Sequence, residues 1–147
     1  MADRRPDPTS DQDFQTAFWA AKRAMASASD AAFRRHGVHA GQQYILVTLW
    51  EENCLAPGEV ARRLDLATPT VTRAATRMEA AGILERKPHP TDRRLVRLCL
   101  TPLGMSLRKT IQRETRTLTD RALASLSPTE RADLVRYLTV LRENLTS

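Results

Sequence analysis

Residues 68–78 read TPTVTRAATRM, which gathers four threonine hydroxyls and two guanidinium groups, Arg73 and Arg77, without a carboxylate. On a helical wheel of about 100° per residue, Val71, Ala74, Ala75, Met78 and Ala81 share one side, which is the face expected to be core. Pro69, Thr70, Thr72, Arg73, Thr76 and Arg77 cover the other side, and the first acidic residue is Glu79. That polar face suits duplex DNA. A helix fits the major groove, an arginine can bond guanine O6 and N7 together, and a threonine can bond phosphate or touch a thymine methyl. The amino end of the helix adds free amides and a positive dipole end for phosphate. A solvated surface helix with threonine filler would share this composition, so the neighbouring elements have to decide.

Those neighbours fit. Pro57 is suited to a first helical position and opens a short helix, PGEVARRL, whose capping position holds Ala56, a local weakness of roughly 1 kcal/mol. Three residues, Asp65 to Ala67, separate it from Thr68, which with Pro69 reads as the capped start of the next helix; Gly82 can end that helix in a left-handed conformation. A helix, a tight turn and a helix make a helix-turn-helix. Beyond Gly82 the segments ILERK and LVRLCL are short, aliphatic and partly alternating, with PHPTDRR between them. This reads as a hairpin with a long basic tip, a wing. Arg93 and Arg94 stand at the tip, where arginine can enter a narrow minor groove of strong negative potential, and Asp92 can orient one of them.

The flanks read as long helices. Phe14, Phe18, Ala21, Met25, Ala28 and Ala32 form one stripe between a cap at Ser10 and a stop at Gly37. A second helix carries Tyr44, Ile45, Leu46, Leu49 and Trp50. Thr101 and Pro102 open a helix through about Ala124 with Leu103, Leu107, Ile111 and Leu118 on its stripe. Ser127, Pro128 and Glu130 form a capping box before Leu134, Leu138, Leu141 and Leu145. A small winged domain cannot cover apolar stripes at both ends of the chain, so a second copy is expected, with Phe14, Phe18, Leu134, Leu138 and Leu141 at the interface.

The totals agree with a nucleic-acid partner without requiring one. The chain has 147 residues, enough for one domain with appended helices, and a formal net charge of +6. Only three of its 23 basic residues are lysines. Polyanions are natural partners for such a chain, although an arginine-rich genome would produce the same bias. Residues 57–100 hold nine basic and five acidic residues, and so most of the excess charge. The polar start, MADRRPDPTSDQ, is neither a signal peptide nor a membrane anchor, no apolar run is long enough to span a bilayer, and residues 1–9 are expected to be disordered. Cys54 and Cys99 lie far apart and make no CxxC pair, which fits a reduced, cytoplasmic protein better than a disulfide scaffold.

The run from Leu55 to Gly104, LAPGEVARRLDLATPTVTRAATRMEAAGILERKPHPTDRRLVRLCLTPLG, resembles the winged helix-turn-helix core of MarR-type regulators. The motifs TVTR, GILER, DRR and LTPLG stand in that family's order, and the flanking helices resemble it by pattern only. The resemblance implies a mainly α fold with a small β-hairpin wing, comprising a winged helix-turn-helix domain and interlocking amino- and carboxy-terminal dimerisation helices. Its divisions would be 10–37 for the first dimerisation helix, 38–101 for the DNA-binding domain and 102–147 for the last helices. It further implies a homodimeric repressor that reads a pseudo-palindromic operator and releases it when a small aromatic or anionic effector binds. By position, Thr68, Thr70, Thr72, Arg73 and Arg77 would lie in or beside the major groove, with Asp92, Arg93 and Arg94 at the wing tip.

Relatives that bind small compounds do so between the dimer helices and the winged domain. Trp19, Lys22, Arg23 and Tyr44 are the candidates here, because aromatic walls with a few polar groups make an apolar pocket selective. The alternative is that Trp19 and Tyr44 are dimer core and the two cations solvated. The peroxide-sensing branch of the family carries its cysteine in the first helix, where this chain has none. A metal switch would lean on His36 and His39, which lack a nearby cysteine or acidic cluster. GxSxG, phosphate-loop, HExxH and paired-carboxylate motifs are all missing, so neither an enzyme nor a cofactor is expected. A winged helix that binds protein would not need an arginine face and a basic wing together.

Overall fold

The structure, a computed structural model, describes residues 11–147. The expected disordered segment 1–9 and the Ser10 cap lie outside the described residues. Six helices and one hairpin follow in chain order: α1 (Asp11–Arg34), α2 (Gln42–Glu51), α3 (Pro57–Leu64), α4 (Thr68–Ala80), β1 (Leu84–Pro88), β2 (Val96–Leu100), α5 (Pro102–Ala122) and α6 (Pro128–Thr146). The two strands pair antiparallel, with Leu84 opposite Leu100 and Pro88 opposite Val96. This is the expected mainly α fold with a wing.

Local chemistry explains most boundaries. Ser127 accepts from the Glu130 amide while the Glu130 carboxylate accepts from the Ser127 amide, so both halves of the capping box form. Thr101 Oγ1 likewise accepts from Gly104 N at the start of α5. Gly82 leaves α4 at φ 75°, a left-handed conformation that glycine adopts without steric strain. One boundary differs from expectation. Ala67, extended and without a side-chain cap, is the residue before α4, and Thr68 is already helical. The proline at the second position fixes the same turn, so the helix starts without a hydroxyl cap.

The core lies where α2, α3, α4 and α5 meet the hairpin. Leu46, Leu49, Val60, Val71, Met78 and Leu98 are fully enclosed. The face of α4 read from the sequence is confirmed at Val71, Ala75 and Met78, with Ala74 half-buried; Ala81 is exposed because the helix has ended there. Leu103 is also exposed, at 49%, whereas Leu107, Ile111 and Leu118 are buried.

The wing is set against α5 by a close backbone approach. A Cβ added to Gly104 would collide with the Ile83 carbonyl oxygen, and the Gly104 carbonyl already accepts from Trp50 Nε1 at 3.0 Å. No side-chain rotation can relieve a clash with backbone. Gly104→Ala is therefore expected to lower stability by about 1–3 kcal/mol, read from a chemical denaturation midpoint; an unchanged midpoint would show that α5 can slide away from the wing freely.

The outer elements pack poorly on the rest of the chain. Among the described residues α6 has none that is buried, and Val135, Tyr137, Leu138 and Leu145 are exposed. Phe14, Trp19 and Met25 on α1 are exposed as well, and the one buried residue of α1 is Phe33 near its end.

Candidate nucleic-acid interface

The loop Asp65–Ala67 turns α3 into α4 through Asp65, whose φ of 53° ends α3 in the left-handed region that aspartate tolerates. Burial of Val71, Ala75 and Met78 then turns the opposite face of α4 outward, so Thr68, Thr70, Thr72, Arg73 and Arg77 are all exposed. The side chains of Arg73 and Arg77 make no hydrogen bond or ion pair among the described residues. Their guanidinium groups are available to an external acceptor. The threonines are less free than their type suggests. Thr72 Oγ1 donates to the Thr68 carbonyl at 3.0 Å and Thr76 Oγ1 donates to the Thr72 carbonyl at 3.0 Å. Phosphate only accepts, so these hydroxyls can donate to it only by giving up a bond inside the helix.

At the wing tip Asp92 Oδ1 accepts from the Arg94 amide at 3.0 Å and lies 3.4 Å from its Nε. The Arg94 side chain is 92% exposed, so the aspartate holds the root of an extended arginine instead of burying it. Arg93 is exposed beside it. The geometry expected for Asp92 and Arg94 is therefore present.

Arg86, the last residue of the GILER motif, is not among the expected site residues, yet it ties α4 to the wing. From β1 its guanidinium donates to Thr76 Oγ1 at 2.9 Å and to the Thr72 carbonyl at 3.4 Å, and it pairs with Glu79 at 3.3 Å. Glu79 also accepts from the Arg86 amide at 3.1 Å. Strand alternation agrees: Arg86 is two residues after Leu84 and directly opposite Leu98, on the face that looks toward α4. Arg86→Ala should cost only about 1 kcal/mol in stability, since the pair is part-exposed, while freeing the wing to swing relative to α4. A melting curve and a duplex-binding assay on the same variant check this; equal binding would mean the wing orients itself unaided.

Behind the interface, Arg63 bridges Glu52 after α2 and Glu59 on α3, and Arg62 also bonds Glu59. Hydrogen bonds from Arg62 and then Arg63 pull the Glu59 carboxyl down to about 2, so the cluster stays ionised well into the acid range. These two basic residues of α3 are occupied within the scaffold. Glu114 of α5 meets His36 and Arg35, each at 3.1 Å, and joins the turn after α1 to α5; the His36 bond most of all lowers its pKa.

Of the expected effector residues, Trp19, Lys22 and Arg23 stand together on α1 and Tyr44 on α2. Trp19, 45% exposed, donates to Gln15 and has Lys22 Nζ 4.8 Å from its ring centre; Arg23 is exposed beside them, and Tyr44 is exposed on α2. Two crevices are lined by other residues. One lies between α1 and α5 around Arg35, Glu114 and Arg121, and the other between the end of α1 and α4 around Asp30, Arg34, His39 and Arg77. Among the described residues no cluster of three or more His, Cys, Asp or Glu is arranged to hold a metal, and no helix is long and apolar enough to cross a membrane.

The cysteines depart from expectation. Cys54 and Cys99 are joined in a disulfide with Cα atoms 4.1 Å apart. Their distance of 45 residues in sequence conceals a cross-strand juxtaposition made by the loop after α2.

Comparison with known proteins agrees with this architecture. The MarR family model matches residues 40–96. The chain is 34% identical to the HTH-type transcriptional regulator TtmR of Methylorubrum extorquens over 71% of its own length and 54% of that protein's, so it spans only about half of this relative. It is 32% identical to the uncharacterized HTH-type transcriptional regulator Mb0904 of Mycobacterium bovis over 67% of its own length and 68% of that protein's. Among solved structures, a mutant of MarR from E. coli complexed with operator DNA superposes with a TM-score of 0.79 at 21% identity, covering 87% of this chain and 92% of that one. The chain belongs to the MarR family of winged helix-turn-helix transcriptional regulators.

Proposed function

We propose that this protein is a homodimeric, sequence-specific DNA-binding repressor that reads a pseudo-palindromic operator. The observation that carries the reading is the pairing of two unengaged arginines, Arg73 and Arg77, on the exposed face of α4 with a wing whose tip holds Arg94 out on Asp92. In this reading α4 enters the major groove and the wing the adjacent minor groove, as the docking geometry of helix-turn-helix proteins requires. Residues 38–101 then form the reading unit, and residues 10–37 and 102–147 the dimerisation helices. The exposed apolar residues of α1 and α6 support the second part. A chromosomal target carries with it the cytoplasmic location expected above.

Release by a small aromatic or anionic compound completes the proposal. The crevice between α1 and α4 supports it, because Arg77 is on its wall beside Arg34 and His39. An anion bound there would compete with DNA for the same guanidinium group.

Binding to genomic duplex fragments as a function of salt tests the DNA reading. Counterion release makes log K fall linearly with log salt at a slope near about −0.9 per phosphate neutralised, so a steep negative slope is expected. Indifference to duplex at low ionic strength would leave a protein-binding winged helix instead.

A further inference from the structure

The disulfide joins segments that the backbone has already aligned. Leu55 and Leu98 exchange both backbone hydrogen bonds, at 3.1 and 2.7 Å, so the loop after α2 adds a single antiparallel rung to the outer edge of β2. In that register Cys54 falls opposite Cys99 as the adjacent non-hydrogen-bonded pair, the position of closest approach in an antiparallel ladder. One residue further, Asn53 Oδ1 accepts from the Leu100 amide at 2.9 Å and from the Cys54 amide at 2.9 Å. The two sulfur atoms are held in register by bonds that do not depend on their oxidation state.

Their surroundings are unequal. Cys99 is 1% exposed, whereas Cys54 is half-buried in a loop at φ 61°. Arg97 shares the Cys99 face of β2 two residues away, and its Nε is buried without a hydrogen-bond partner among the described residues. A protein that works on chromosomal DNA resides in a reducing compartment, where disulfides are usually transient and redox-sensing instead of structural.

We propose that Cys54 and Cys99 form a reversible dithiol–disulfide pair through which low-molecular-weight disulfides set the rigidity of the wing and with it the affinity for DNA. The coupling to DNA rests on the DNA-binding reading above. The Cys54 thiolate attacks one sulfur of the small disulfide, forming a mixed disulfide and expelling one thiolate. The Cys99 thiolate then attacks Cys54 Sγ, closing the internal bond and expelling the second thiolate. The two protons from the cysteines end on the two expelled thiols, and two electrons pass from the protein to the small disulfide. Excess small thiol reverses both steps. Closure adds a covalent tie to the backbone bonds that already join the base of the wing to the loop between α2 and α3, so less motion has to be frozen when α4 and the wing enter two grooves together.

The test equilibrates the full-length protein in buffers of graded reduced-to-oxidised glutathione, then quenches it and labels free thiols with a maleimide for intact-mass measurement. Both thiols are expected to disappear together, within one chain, and to return on reduction. Thiols that persist at the most oxidising ratio, a bond between chains, or a disulfide that survives excess dithiothreitol in the folded protein would each overturn the pair. The two forms are then titrated with a duplex recovered from genomic selection. The oxidised form is expected to bind about 3- to 10-fold more tightly, and Cys54→Ser to bind independently of the buffer. Equal affinity of the two forms removes the coupling while leaving the DNA reading intact. Binding by neither form overturns the DNA reading and the coupling together, with the chemistry of the pair still decided by the mass measurement.

Discussion

Leu138→Glu protein is expected to run as a monomer on size exclusion with light scattering, and to lose much of its helical circular dichroism. The reason lies in α6, whose 19 residues include none that is buried in one chain although Val135, Tyr137, Leu138 and Val140 are apolar. An isolated helix of that length is marginal in water, and most helical stability comes from packing an apolar face. In the proposed dimer, Leu138, 49% exposed in the single chain, would be covered by a partner surface. A carboxylate forced into such an interface without a counter-charge costs about 3–5 kcal/mol, and two-fold symmetry imposes it twice. A variant that keeps the parent's mass and melting temperature would place Leu138 in solvent and move the interface elsewhere.

Arg73→Ala should bind its selected operator more weakly by about 1–3 kcal/mol for each half-site, so about 2–6 kcal/mol for a dimer on the full site. Preference should relax at one base position in each half-site, because a bidentate arginine reads a base and a phosphate contact does not. Arg94→Ala gives the contrast. Its side chain extends from the wing tip, so its loss should weaken binding with little change in major-groove preference. Titration of both variants against an operator library separates the two roles. If Arg73→Ala binds every operator variant as the parent does, α4 does not read the groove through that residue.

The two expectations differ in how far they depend on the rest of the molecule. Arg73 can be assigned from the wheel of α4 alone, since the spacing of Val71, Ala75 and Met78 sets which side faces out. Leu138 depends on what the single chain fails to cover. Its helical spacing is legible, but its exposure is known only once the other helices are in place.

Local chemistry accounts for what could be read in advance. The capping box at Ser127, the Thr101 cap, the left-handed Gly82 and the hairpin between Leu84 and Leu100 involve residues close in sequence, whose types mark them before the tertiary structure is known. The family motifs and the arginine face of α4 belong to the same class. Tertiary structure decided the features that depend on distant segments meeting. Arg86 of β1 binds Glu79 and Thr76 of α4, and Cys54 reaches Cys99. That last contact rests on one antiparallel rung, Leu55 with Leu98, between a loop and an edge strand. A lone rung leaves no periodicity in sequence, because its energy comes from two backbone groups that nearly every residue type supplies.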